Sequence, residues 1–435
     1  MRRWMSREYV LACVLAFFAF SFSPVARGGE AEWTKHQEAG SKALAARDYD
    51  RAYAEYDAAR GEAEEMDDAR RASFALHMMG TARLQQGRAE VAEETLQRAL
   101  VSAEGSMGRD HPFLISVLYD LARAYDLQRQ PENAEPLIGR ALAIAVAKRG
   151  DSPELVAQLA VTLGAYAERR RQFAEAEKLY RQGLDRIVYT YGPFHRTAAA
   201  IRVTLARLYD EQDRVDEAIT LLESSRKALR AADTDSRPIL ATTLHLLARA
   251  YAAQGKWDQA FAAADQLVEV SPPTADPFRV RALLYFDKGE FPKALEEFRR
   301  SLERRPTGND ADYGQVWVYL LRARQGEKDA ARRDLRQYLD SRKTTTPEDE
   351  WYLAVARHCA GQSSEEDLFK AAKSTNRRKA REQECEATFY SAMQRLADGD
   401  KAGAAPLLKR AVAADIKDFI EHRAAIAELK RLQAK

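Results

Sequence analysis

Residues 199–222 read AAIRVTLARLYDEQDRVDEAITLL, and the pattern in this stretch recurs along the chain at a fixed distance. Its pair Leu205-Ala206 has counterparts 42 residues apart at Met79-Gly80, Leu121-Ala122, Leu163-Gly164 and Leu247-Ala248. Twelve residues after the small member of each pair comes another small residue: Ala92, Ala134, Ala176, Ala218 and Ala260. Equal intervals of this kind indicate internal repeats.

Each repeat is predicted to be a hairpin of two helices. Ala218, Leu222 and Ser225 lie at i, i+4 and i+7, which gives the second helix one buried face. The small residue of the first helix lets the second helix approach, and we expect the small residue twelve positions later to be the point of contact. Because one hairpin cannot bury its face alone, neighbouring hairpins are expected to stack into an α-solenoid.

Composition agrees with a helical chain. Glycine and proline contribute only 21 and 14 of 435 residues, and 31% of the residues are charged. Few turn residues and many charges are typical of long amphipathic helices and argue against all-β and doubly wound folds. A hydrophobic content of 46% argues against wholesale disorder.

The repeats resemble tetratricopeptide repeats (TPRs). The matching features are alanine at repeat positions 8 and 20, tyrosine at position 11 (Tyr125, Tyr209, Tyr251, Tyr285) and proline at position 32 (Pro272, Pro306). Residues 75–268, with loops at 107–112 and 191–195, resemble the kinesin-light-chain variety of the repeat. The resemblance implies an all-α, right-handed α-solenoid, a superhelix of about ten TPR-like helix hairpins.

Four segments are predicted. Residues 1–28 contain Arg2, Arg3 and Arg7, then a short apolar run, and then small residues at a predicted cleavage site. This order is typical of a secretory signal peptide cleaved near Gly28. An uncleaved signal anchor and lipidation at Cys13 are the alternatives. A TPR array over 29–270, a 34-residue repeat over 271–308 and a degenerate TPR-like region over 309–435 follow. The last helix, 419–432, is expected to cap the solenoid.

The mature chain is expected to be periplasmic or secreted, from a Gram-negative type of bacterium, with no membrane span after cleavage. Removing residues 1–28 takes away four arginines and one glutamate, so the formal charge falls from +2 to about −1. A near-neutral chain gives no reason to expect nucleic-acid binding.

Residues 313–432 resemble a narrower group, the periplasmic TPR adaptor lipoproteins of cell-wall hydrolases and a periplasmic protease. The matching stretches are 313–320, 361–368, 385–390, 411–416 and 419–423. The resemblance implies that the partners are other proteins, with cell-wall hydrolases or an envelope protease among them.

Motifs for catalysis, cofactors and metals are missing from the sequence. There is no HExxH, GxSxG, GxGxxG or Walker lysine. His358, Cys359, Cys385 and His422 lack the spacing of zinc ligands. We therefore expect no enzyme, no cofactor and no metal site. The export compartment permits a bridge between Cys359 and Cys385, but their predicted places in successive hairpins oppose one.

Binding residues are predicted on the first helix of each repeat, because the family resemblance places those helices along the concave groove. The candidates are Tyr119, Arg123, Arg207, His245 and Arg249, a set suited to carboxylates of an acidic partner segment. Alternatively, Arg123 and Arg207 simply pair with Asp126 and Asp210 three residues later on the same helix. Arg249 has Ala252 at that place and is the most suggestive of the five.

The sequence thus predicts a non-enzymatic interaction scaffold or adaptor of the cell envelope. A membrane-tethered assembly factor is the alternative among binding proteins. An envelope hydrolase with an unrecognised site is the alternative from another class.

Overall fold

The computed structural model describes residues 27–147, 152–229, 236–272, 274, 276–342, 350–417 and 419–433. These ranges are helical and contain no strand, so the predicted all-α fold is confirmed. The predicted signal peptide lies outside the described residues except for Arg27 and Gly28, where the first helix begins. In the same ranges, every helix is too short or too polar to cross a bilayer.

The chain divides into two compact units, Met1–Leu179 and Tyr180–Lys435. The first unit is built from helices that pack in sequence against their neighbours. These are α1 (Arg27–Ala45), α2 (Tyr49–Glu65), α3 (Ala69–Gln86), α4 (Ala89–Met107), α5 (Phe113–Leu127), α6 (Pro131–Ala147) and α7 (Pro153–Arg169). The next helix, α8 (Phe173–Tyr191), contains the division.

The second unit continues the same pattern of antiparallel hairpins. It contains α9 (Arg196–Glu211), α10 (Val215–Leu229), α11 (Arg237–Ala253), α12 (Trp257–Val270), α13 (Asp276–Lys288), α14 (Phe291–Glu303) and α15 (Asn309–Arg322). After a π-helical turn at Ala323–Glu327 come α16 (Lys328–Ser341), α17 (Glu350–Cys359), α18 (Glu365–Ala371), α19 (Arg377–Ala397), α20 (Lys401–Ala413) and α21 (Ile420–Gln433).

Small residues bring the two helices of a hairpin together, but the contact is one turn from the expected place. Ala92 is fully buried, as predicted. A Cβ atom added at Gly80, however, would lie 2.5 Å from Cγ of Leu96, four residues beyond Ala92. The branched side chain of Leu96 fills the space that the missing side chain of Gly80 leaves, because close packing allows no void there.

The turn inside each hairpin has a left-handed residue that also recurs every 42 residues. Positive φ angles occur at Gly87, Arg129, Arg171, Asp213 and Gly255. At the second of these, the N–H of Gln130 donates to the carbonyl of Tyr125 at 2.9 Å, which ends the first helix in the way glycine usually does. The turn geometry is therefore kept in repeats that carry a charged residue instead of glycine.

An aromatic cluster forms the core of the second unit around Trp317 of α15. Its ring lies 5.3 Å from that of Phe298, 5.0 Å from that of Phe286 and 5.8 Å from that of Phe389. These residues come from α13, α14 and α19, so the degenerate C-terminal hairpins share one core with the regular repeats before them.

The last helix does more than the predicted capping. Helix α21 packs against α19 and α20, and it also contacts α13, eight helices earlier in the chain. Ala424 and Ala425 are buried in the core.

Candidate protein-interaction surface

In the first unit, the first helices of successive repeats meet at a buried carboxylate, Asp120 of α5. Its Oδ2 accepts hydrogen bonds from Thr81 Oγ1 at 2.8 Å and lies 3.1 Å from Nε2 of His77, both on α3. Burial alone would raise the pKa of Asp120, but the hydrogen bond and charge of His77 and the charge of Arg123 outweigh it, and the pKa is lowered. Asp120 is therefore a fixed negative charge between two repeats.

Arg123 and Tyr119 lie on the same helix beside this carboxylate. Nη1 of Arg123 donates to Oδ1 of Asp120 at 3.1 Å, while 34% of the arginine side chain remains exposed. The hydroxyl of Tyr119 accepts from Nε2 of Gln158 on α7 at 3.1 Å, and burial raises the pKa of Tyr119. Tyr119, Arg123, Gln158 and the half-buried Thr162 form what we call the α5–α7 surface.

The predicted pairing of Arg123 with Asp126 is wrong. Asp126 instead accepts from the hydroxyl of Tyr166 at 2.6 Å and from Arg169 at 3.3 Å, both on α7. The stacked neighbouring helix offers closer donors than the same helix does, because residues near the ends of two first helices lie side by side. Asp126 thus links two repeats, and Arg123 pairs with Asp120 instead.

The other three predicted residues lie in the second unit. Arg207 of α9 and His245 of α11 are exposed. The protein atoms around His245 and the positive charges of Arg249, Arg423 and Arg279 lower the pKa of this imidazole. His245 is therefore neutral at pH 7, and carries no positive charge toward a carboxylate.

Arg249, which has Ala252 three residues later on its own helix, contacts residues of other segments. Its Nη2 lies 3.4 Å from Oδ2 of Asp210 on the preceding first helix and 3.5 Å from the carbonyl oxygen of Lys417, which follows α20. Only 16% of the arginine side chain is exposed. Spacing within one helix can indicate only partners on that helix. It therefore could not indicate Asp210 on the stacked helix or Lys417 in the C-terminal segment.

A buried polar cluster in the C-terminal hairpins was not predicted. Glu386 of α19 accepts from the indole N–H of Trp351, and Glu421 of α21 accepts from the hydroxyl of Tyr390 at 2.7 Å. The signal was present in the sequence for Glu386, which stands in the largely apolar stretch 385–390, and weaker for Glu421, which only follows Phe419 and Ile420. An acid in such a stretch indicates a buried polar contact.

Both carboxyl groups of this cluster have raised pKa values. Burial, followed by the charge of Glu421, raises the pKa of Glu386 to about 8. Burial also raises the pKa of Glu421. Glu386 is therefore protonated at neutral pH, with Glu421 beside it as the second acid of the pair.

Cys359 and Cys385 are separate, buried thiols. Burial raises the pKa of Cys359 to about 12, so this thiol is not a nucleophile at neutral pH. Over the described ranges, no group of three or more histidine, cysteine, aspartate or glutamate side chains is arranged to hold a metal ion.

Comparison with known families identifies the repeats. Two tetratricopeptide-repeat models match the chain, one over residues 70–145, 155–231 and 211–272, and the other over residues 245–309. Together they span residues 70–309 apart from 146–154.

Among solved structures, that of the quorum sensor NprR supports the fold. The apo form of the quorum sensor NprR from B. thuringiensis aligns with a TM-score of 0.51 at 15% identity, over 88% of this chain and 99% of that one. A putative kinesin light chain from Podospora anserina, with nearly identical TPR-like repeats, aligns at 26% identity over 45% of this chain and 93% of that one, with a TM-score of 0.39. PilF from Pseudomonas aeruginosa aligns at 15% identity over 57% and 98%, with a TM-score of 0.39.

The 42-residue recurrence, the helix hairpins and the family models agree. The chain therefore belongs to the tetratricopeptide-repeat family of protein-interaction scaffolds.

Proposed function

We propose that the protein is an adaptor of a bacterial cell envelope, and that it docks acidic segments of partner proteins on the α5–α7 surface. Export through residues 1–28 would bring it to the periplasm. The repeat family supports a role in binding proteins rather than in catalysis.

The observation that carries the proposal is the fixed guanidinium of Arg123. Asp120 holds it at 3.1 Å and is itself held by His77 and Thr81, while a third of the arginine side chain stays open to solvent. An arginine positioned in this way loses little side-chain entropy when it binds a carboxylate in a bidentate manner. Tyr119 next to it adds a rigid aromatic ring of the kind that carries binding energy at interfaces.

The class of partner is proposed from the C-terminal resemblance. Residues 313–432 resemble the periplasmic adaptors of cell-wall hydrolases and an envelope protease, so those enzymes are the partners we propose.

Crosslinking in intact cells followed by mass spectrometry tests the proposal. The tagged chain should recover peptidoglycan hydrolases or an envelope protease from the periplasmic fraction. Arg123→Glu should reduce that recovery about tenfold, because a carboxylate would then face an acidic segment. Arg98→Glu is the matched control, since this exposed arginine lies on the second helix α4.

Equal recovery with Arg123→Glu and Arg98→Glu would remove the α5–α7 surface from the binding site. Recovery of bait and partners only in the membrane fraction would favour a tethered assembly factor. Loss of a hydrolytic activity of the purified chain on substitution of clustered acids would favour an enzyme.

A further inference from the structure

The segment that leads into the last helix lies against the first helices of the second unit. Nζ of Lys417 donates to the carbonyl of Glu211, the last residue of α9, at 3.0 Å and to Oδ2 of Asp213 in the following turn at 2.6 Å. Its carbonyl oxygen accepts from Arg249 of α11. Lys417 therefore connects the ends of two successive first helices.

Helix α21 continues along the next repeat. Arg423 pairs with Oδ2 of Asp287 at 2.9 Å. One turn from the helix end, Nη1 of Arg431 donates to the carbonyl oxygens of Phe286 and Asp287, each at 3.0 Å. Both partners are at the end of α13, so the segment from Lys417 to Arg431 crosses α9, α11 and α13 in turn.

Most of the contacted residues lie on the first helices of their repeats. Arg249 is on α11, and Phe286 and Asp287 are on α13. The family resemblance places these first helices along the concave groove. The C-terminal segment thus lies along this groove in the second unit, and we call its contact residues Glu211, Asp213, Arg249, Phe286, Asp287 and Arg324 the inner face.

The polar contacts that hold α21 on the inner face are specific, but burying their charged groups costs free energy. Glu428 is fully buried between Arg324 and Arg431, at 2.7 Å from each. Within the described ranges, Oε2 of Glu428 has no hydrogen-bond partner. The cost of removing buried ions from water offsets most of their mutual attraction, and an unsatisfied oxygen adds to that cost. Such contacts fix the position of the helix while contributing little net stability.

We propose that the inner face is a docking site for an amphipathic helix of another protein, and that α21 is its displaceable occupant in the same chain. The partner helix would carry the pattern of α21: two arginines eight residues apart, with a glutamate five residues after the first, as in Arg423, Glu428 and Arg431. The inference rests on the proposed function, that the chain binds other proteins, but not on the α5–α7 surface.

The chain's own helix, supplied as a labelled synthetic peptide of residues 416–433, is the probe. The full chain should bind it weakly, because a tethered helix acts at a high effective concentration. The double variant Arg423→Glu/Arg431→Glu should bind it at least about tenfold more tightly, because the reversed charges of the tethered helix repel Asp287 and vacate the inner face. Lys430→Glu is the control, since Lys430 is exposed on the same helix.

Hydrogen exchange of the unaltered chain gives a second measurement that needs no variant. The amides of residues 424–433 should exchange at least about tenfold faster than those of 385–394 in α19, since a displaceable helix opens locally. Equal protection of the two stretches would make α21 a fixed part of the core and overturn the proposal.

Two peptide results would also overturn it. One is equal affinity for the unaltered chain and the double variant. The other is weak peptide binding by a double variant in which the amides of residues 424–433 have lost their protection from hydrogen exchange. The amides of residues 385–394 would still be protected in that variant. Failure of the proposed function is a separate result, because it is measured with Arg123→Glu, which leaves α21 unchanged.

Discussion

Buried carboxyl groups of this protein behave in opposite ways, and their neighbours explain the difference. Asp120 faces His77 and Arg123, and its pKa is lowered although it is buried. Glu386 faces the indole of Trp351 and a second acid, Glu421, and its pKa is raised to about 8. In these two groups the sign of the pKa shift follows the neighbour, a cation for Asp120 and a second acid for Glu386, whereas at Asp287 burial outweighs the charges of Arg423 and Arg431 and raises the pKa.

The raised pKa of Glu386 predicts that stability falls as the pH rises. The folded state holds its proton up to about pH 8, whereas an unfolded glutamate releases it near pH 4.5. The contribution of protonated Glu386 to the free energy of unfolding is therefore fully present below about pH 4.5 and is lost as the pH rises through about 8. Thermal unfolding at pH 5, 7 and 9 should show a falling midpoint, and Glu386→Gln should reduce the fall by about half or more, because the amide keeps an acceptor and cannot ionise.

Glu366→Gln provides the comparison for that experiment, since Glu366 is an exposed acid on α18. Its pH profile should follow that of the unaltered chain. Identical profiles for Glu386→Gln and the unaltered chain would mean that Glu386 is already ionised in the folded state.

At the scale of the helices, the distance between the two members of a hairpin depends on the side chain at one position. Gly80 of α3 lets Leu96 of α4 come so close that a Cβ atom would lie 2.5 Å from its Cγ. Because Cγ is the branch point of the leucine side chain, it cannot move away without shifting the rest of that side chain. The glycine is therefore retained for packing and not for its backbone freedom.

Gly80→Ala should lower the free energy of unfolding of the first unit by about 1–3 kcal/mol, the usual cost of overpacking. Gly61→Ala makes the same change within α2, where a Cβ atom would meet nothing within 4 Å. It should raise stability by about 0.5–1 kcal/mol, because alanine favours the helix. Urea denaturation of both variants gives the comparison, and equal effects would show that α4 adjusts freely to the added methyl group.

Across the whole molecule, the 42-residue periodicity predicted the helix hairpins that the repeats share. It did not predict contacts that occur in only one region of the chain. The hairpins recur every 42 residues, so the sequence repeats the same signal several times and the helices follow from it. One partner of Arg249 follows the repeat spacing and the other does not. Asp210 is 39 residues away, the same separation as between Thr81 and Asp120, whereas Lys417 is 168 residues away. No local spacing rule connects Arg249 with Lys417, and only the folded second unit brings them together.

Residues 1–28 predict export of the whole chain. The apolar run from Val10 to Phe22 follows three arginines, and it is shorter than the 20 or so residues that a membrane span needs. We therefore expect the purified periplasmic protein to begin near Gly29, with its intact mass reduced accordingly, and deletion of residues 2–28 to leave the chain in the cytoplasm. A mass that includes residues 1–28 would indicate a signal anchor, and an added lipid mass on a chain beginning at Cys13 would indicate lipidation. Either result would place the α5–α7 surface and the inner face at a membrane, because the retained segment would tether both units to it.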